Sequence, residues 1–179
     1  MTLLEYFNTP ETVLPQELVY GRMMVNDAPF VSHQRIVLRM ALALEQRTPF
    51  IPGEVLIAPV DVVLDRERAL VLQPDIIWVA AERDEIVHER IYGAPDLVVE
   101  VLSPRPRIGD LTERVRLFID HGVREIWLYH QTLARFEIVS RNGDGRVVER
   151  SFDLDDAIES EVLPGFTPTP MELIGRYPG

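Results

Sequence analysis

The sequence contains no cysteine and no lysine. Without thiols there is neither a disulfide framework nor a thiolate metal site, and nothing on that ground separates an oxidising from a reducing compartment. All 18 basic residues are arginine, so chemistry that needs a neutralisable amine is excluded. Long apolar runs are also missing, and residues 1–7 lack a basic region followed by an apolar core; a soluble, cytoplasmic protein with no membrane partner is the expectation. Positive charge is scarce: 29 acids against 18 arginines leave a net charge of −11, which opposes indiscriminate adhesion to nucleic acid phosphates. Aromatic residues make up only 8%, few for a sugar-binding groove.

What remains is ordinary globular composition, 46% hydrophobic and 26% charged over 179 residues, which fits one domain spanning 1–179. Residues 17–25 read as strand, turn at Gly21 and strand, after a proline-marked irregular start. Ile36, Val37, Met40, Ala41 and Leu44 recur at helical spacing, predicting a helix over 32–46 with Ser32 as its cap. Residues 54–64 read as one β-branched strand kinked at Pro59, with 69–72 as its hairpin partner and 76–79 as another strand. Residues 82–90 form a charged, exposed link. Asp110 caps a helix that carries Leu111, Val115, Phe118 and Ile119 to a stop at Gly122. A strand over 123–129 and a hairpin around Asn142-Gly143-Asp144-Gly145 follow, then a proline-rich tail over the sheet. Helices flanking these strands predict a mixed β-sheet of α/β or α+β type.

Residues 93–104 hold the most informative stretch. A Leu/Val run bounded by prolines reads as a buried strand in which Asp96, Val98, Glu100 and Leu102 share one face. A buried ionised carboxylate costs several kcal/mol or more unless it is paired, hydrogen-bonded or metal-bound, and Glu100 has valine on both sides. Asp75 lies at the mouth of one strand and Asp61 within another. Converging carboxylates make a hard-oxygen site suited to magnesium or manganese, and such an ion suits phosphodiester hydrolysis.

Pro74-Asp75 followed by Glu100-Val101-Leu102 resembles the metal-binding core of the PD-(D/E)XK nuclease superfamily. More closely, Glu17-Leu18, Ser32-His33-Gln34, Pro59-Val60-Asp61-Val62, Gln73-Pro74-Asp75, residues 94–104 and His121-Gly122-Val123-Arg124-Glu125-Ile126-Trp127 are similar to the Uma-type restriction endonuclease family, over about residues 15–168. The resemblance implies a restriction-endonuclease-like fold in which Asp75 and Glu100 bind a divalent ion, Mg2+ or Mn2+, with Asp61, Glu17 and His33 as further members of the polar cluster. The superfamily usually places a lysine two residues after the acid; here that residue is Leu102. Family members carry a lysine on the following helix instead, and the matching residue is Arg114, which can clamp a phosphate but cannot act as a base.

The implied function is a metal-dependent endonuclease acting on DNA, with Asp75, Glu100 and Arg114 as its catalytic residues and Arg105, Arg107 and Arg116 completing a local basic cluster for phosphate. A homodimer would suit cleavage of both strands. The alternative is a nuclease fold that has lost catalysis and serves as an interaction or regulatory module. A glycosidase, which also uses paired carboxylates, ranks below both. Structural roles are open as well: Asp96 as a strand-entry acid that caps a backbone donor, His33 as a satisfied helix-start histidine, Asp61 and Glu17 as loop holders, and Trp78 and Trp127 as packing residues.

Overall fold

The computed structural model describes residues 1–10, 14–47, 49–102 and 110–175. The strand at its centre is β8, Leu97–Leu102, in which every residue is buried. It runs antiparallel to β6 (Ile76–Ala80) and parallel to β9 (Glu125–His130), so both of its edges are paired. With β3 (Gly53–Ile57), β10 (Arg135–Arg141) and β11 (Val147–Phe152) it forms a six-stranded sheet in the order β11-β10-β9-β8-β6-β3. A second sheet contains β1 (Gln16–Val19), β2 (Arg22–Val25), β4 (Val62–Asp65), β5 (Leu70–Leu72) and β7 (Ile91–Tyr92), ordered β2-β1-β5-β4-β7. Both sheets are mixed, since β8 and β9 and also β4 and β7 pair in parallel.

The alternation of β8 decides the layers. Leu97, Val99 and Val101 face one way, into a core with Ile36, Val37, Met40 and Leu44 of helix α2 (Val31–Glu45) and with Leu163, Phe166 and Leu173 of the tail. Val98 faces the other way, into a core with Leu117 and Phe118 of helix α3 (Leu111–Asp120) and Leu70 and Leu72 of β5. The second sheet thus closes over the same face as α3. Each fully buried Leu, Ile or Phe in these cores contributes on the order of 1.5–3 kcal/mol relative to exposure. Among the described residues no helix is long and apolar enough to cross a membrane.

Several local expectations change. Residues 54–64 are two strands in two sheets: β3 pairs with β6, the chain leaves the ladder at Ala58-Pro59, where proline offers no N–H, and β4 then pairs with β5. Helix α2 starts at Val31, with Phe30 in the cap position and no side-chain cap, so Ser32 lies inside the first turn. Pro29 favours extended backbone just before this start. Asp110 does cap α3, accepting from the Thr112 and Glu113 N–H groups at 2.8 and 3.4 Å. The charged link of 82–90 contains a 3₁₀ helix at Ala81–Ile86 that buries Ile86. Two short helices were not expected: α1 (Leu3–Phe7) and α4 (Pro170–Ile174). Each has a reciprocal capping box, Thr2 with Glu5 and Thr169 with Glu172, a pattern visible in the sequence. Trp78 and Trp127 are core residues. The segment 103–109, including Arg105 and Arg107, lies outside the described residues.

Candidate active-site cleft

Continuing the β6–β8 register of Ile76 with Val99 by one step sets Asp75 opposite Glu100. Residues opposite one another on antiparallel strands project to the same face with Cβ atoms roughly 4.5–5.5 Å apart. Both side chains line a cleft of about 1120 Å³, together with His33, Asp61, Leu102 and Arg114. The cleft lies where β8, α3, the start of α2 and the second sheet meet.

Asp75 is held through one oxygen. Its Oδ2 accepts from the Val101 N–H at 2.7 Å and from His33 Nε2 at 3.1 Å. A carboxylate only accepts, so His33 donates from Nε2, and its Nδ1 is buried with no hydrogen-bond partner among the described residues. Among the described residues Asp75 Oδ1 accepts no hydrogen bond.

Glu100 is organised by Arg114. Arg114 lies one turn after the Asp110 cap, is 6% exposed, and places its guanidinium between the two sheets. Its Nε donates to Glu100 Oε1 at 2.8 Å, its Nη1 to Glu17 Oε2 at 2.8 Å, and its Nη2 to the Gln73 carbonyl at 3.4 Å. Phe118, one turn further along α3, lies beneath it at 5.4 Å. Glu17 also accepts from the Gln73 N–H at 2.7 Å. One cation therefore answers two buried carboxylates, with Asp75 close by. Burial, opposed by Arg114 and reinforced by Asp75 and Glu17, pushes the Glu100 carboxyl up to about 8. Burial works against the Arg114 charge, but Glu100 and Glu17 outweigh it and hold the guanidinium more firmly protonated than usual. Glu100 Oε2 accepts no hydrogen bond among the described residues.

Asp61 reaches the same cleft with other partners. Its Oδ1 accepts from Gln73 Nε2 at 2.8 Å and the Tyr6 hydroxyl at 3.1 Å, and its Oδ2 from Arg90 Nε at 3.1 Å. Burial and the Asp61 charge raise the Tyr6 hydroxyl well above its ordinary value. Tyr6 and Arg90 went unnoticed in the sequence, and Gln73 was read only as part of the Gln73-Pro74-Asp75 motif; the Thr2/Glu5 capping box was the available signal for the helix that carries Tyr6. Asp96 is at the far end of β8, where it accepts from the Ala80 N–H, Arg83 and Arg124 at 3.0–3.1 Å. Burial pushes its carboxyl up, yet these three donors together hold it below the usual range. That is the backbone-capping role open to it from the sequence. Arg116 is exposed on α3, on the side away from Arg114, and does not line the cleft.

The structure therefore brings Asp75, Glu100, Arg114, Glu17 and His33 together and leaves Asp61 beside them, both of its oxygens occupied. Among the described residues one oxygen each of Asp75 and Glu100 accepts no hydrogen bond, and a hard donor pair of this kind fits magnesium or manganese. Among the described residues no group of three or more acidic, histidine or cysteine side chains is placed to hold an ion, so the fit rests on this pair.

A family model, Uma2, described as putative restriction endonuclease, matches residues 4–172. The chain belongs to this family. The match extends past both ends of the 15–168 stretch that carries the sequence motifs. A crystal structure of a putative nuclease belonging to DUF820, from Anabaena variabilis ATCC 29413, superposes with a TM-score of 0.82, covering 97% of each chain at 18% identity. The mixed two-sheet α+β architecture is thus shared with a structure from that group. No curated protein matches the chain.

Proposed function

We propose that this Uma2-family protein is a divalent-metal-dependent endonuclease that hydrolyses phosphodiester bonds of DNA, with magnesium or manganese held by Asp75 and Glu100. The observation that carries the reading is the placement of these two carboxylates opposite one another, Asp75 at the mouth of β6 and Glu100 within β8, both lining the cleft. When bound, such an ion lowers the pKa of water and offsets charge on a phosphate. The chain's own residues do the positioning. The Val101 N–H and His33 fix the orientation of Asp75, while Arg114 fixes Glu100 and is itself seated by Glu17. With Nε and Nη1 committed to carboxylates, Arg114 acts as a positioning residue here more than as a phosphate clamp.

Among the described residues the cleft lining has more acids than arginines, a field that opposes phosphate unless a divalent ion is present. DNA binding is therefore expected to need magnesium or manganese. Cleavage assays on single- and double-stranded DNA test the proposal: metal-dependent cleavage by the wild type, abolished in both Asp75→Asn and Glu100→Gln, is the expected result. Cleavage that persists in either variant would refute it.

A second reading has its own support. Leu102 occupies the position that aligns with the superfamily lysine, and Arg114 is locked between two glutamates. These features fit a nuclease fold retained as an interaction module. An Arg114→Lys variant that gains cleavage where the wild type shows none would favour this reading.

A further inference from the structure

Helix α2 buries Ile36, Val37, Met40, Ala41 and Leu44 against the six-stranded sheet. Its opposite side is apolar too. Val31 is 67% exposed, Leu38 55% and Leu42 51%, and at about 100° per residue these three lie within a stripe roughly 40° wide. Just beyond the two ends of the helix, Phe30 and Phe50 are 64% and 76% exposed. Exposed Val31, Leu38 and Leu42 along one helical face make a contact surface, with Phe50 beyond one end and the cleft-lining Phe30 at the other.

The centre of the stripe is self-complementary when read backwards. About a midpoint at Met40, Leu38 exchanges with Leu42, while Val31 has no counterpart within the helix and Phe30 and Phe50 lie outside it. Arg35 exchanges with Glu45, and both are exposed beside the stripe. A two-fold axis perpendicular to the helix at this midpoint would set Leu38 against Leu42 and each Arg35 level with a Glu45. A surface meeting itself in this way is what an isologous dimer requires, and the charge pair sets the antiparallel register.

We propose that the outer face of α2 is a homodimer interface in which two copies pack antiparallel, Leu38 against Leu42 and Arg35 against Glu45. The occupant is a second copy of this chain, and the proposal holds whether or not the cleft is catalytic. His33, which lines the cleft, lies seven residues from the midpoint, so the two clefts would sit at opposite ends of the pair, about 21 Å apart along the helices at 1.5 Å per residue.

Sedimentation equilibrium of the full chain over a wide concentration range tests this, with circular dichroism confirming that each variant is folded. The wild type is expected to be a dimer, and Leu38→Glu to raise its dissociation constant by at least about tenfold. Because any surface leucine could disturb association, the decisive comparison is charge reversal: Arg35→Glu and Glu45→Arg each weaken the dimer, and the double variant recovers it. A monomeric wild type, a folded Leu38→Glu protein that dimerises as well as the wild type, or a double variant as weak as the single ones would each overturn the proposal.

Discussion

At the residue scale the account rests on Arg114, a cation buried between Glu17 and Glu100. Replacing it with methionine leaves the buried Glu17 and Glu100 without the cation that both face. Breaking a buried pair from one side costs about 3–5 kcal/mol, so chemical denaturation of Arg114→Met should show a loss of that order. Arg114→Lys keeps the charge but cannot repeat the fork that reaches both glutamates, and a smaller loss is expected. Glu100 gives a pH prediction for the metal-free protein. Its folded-state carboxyl is raised by burial to about 8, whereas the unfolded chain releases the same proton near the ordinary glutamate value of 4.5. Between these values the folded state holds more protons than the unfolded one, so stability falls as pH rises through this window and levels off above it. Glu100→Gln should flatten that part of the stability–pH curve; an unchanged slope in the variant would place the proton elsewhere. The anomaly of a glutamate between valines was readable in the sequence because a strand alternates faces. Arg114 and Glu17 were placed near it only through the family resemblance, because no local rule says that a residue 14 positions later on a helix and another on a separate sheet will share one charge cluster.

At the element scale, the cleft depends on how α3 is fixed. Asp110 accepts from the second and third N–H groups of α3, and that helix carries Arg114. Asp110→Ala should cost about 1 kcal/mol by thermal or chemical unfolding, as loss of an N-cap does. Gly53 in β3 lies against Trp78 of β6, and a methyl there would come within 2.5–2.6 Å of the indole. Gly53→Ala should therefore destabilise by about 1–3 kcal/mol, since a fully packed ring must shift; a neutral result would show that the edge strand yields freely. The helices and strands with strong periodicity were legible: α2 from its apolar spacing, α3 from Asp110 and Gly122, and the 142–145 hairpin from its turn residues. The split of 54–64 into β3 and β4 was not, because both halves are β-branched and only the pairing partners, β6 and β5, distinguish one bent strand from two. The exposed apolar stripe of α2 was hidden for a related reason. Helical spacing reveals an apolar face, but which of two such faces meets the sheet is decided by tertiary packing.

At the scale of the whole molecule, a net charge of −11 and a cleft whose described lining is rich in acids belong to a protein whose family points to nucleic acid. The divalent ion proposed for the cleft would reconcile the two, because it would supply the positive charge that the chain withholds. DNA association measured by fluorescence anisotropy should be weak in chelator and strengthen on adding manganese. Equal binding in both conditions would mean that arginines outside the cleft carry the contact. The family motifs made the fold legible almost end to end, while the commitment of Arg114 to two glutamates became visible only in three dimensions. The most direct test of the central claim is calorimetric titration of manganese into the wild type, Asp75→Asn and Glu100→Gln. The account predicts saturable binding by the wild type that is lost in both variants. Absence of binding by the wild type, or binding unaffected by either substitution, would contradict it.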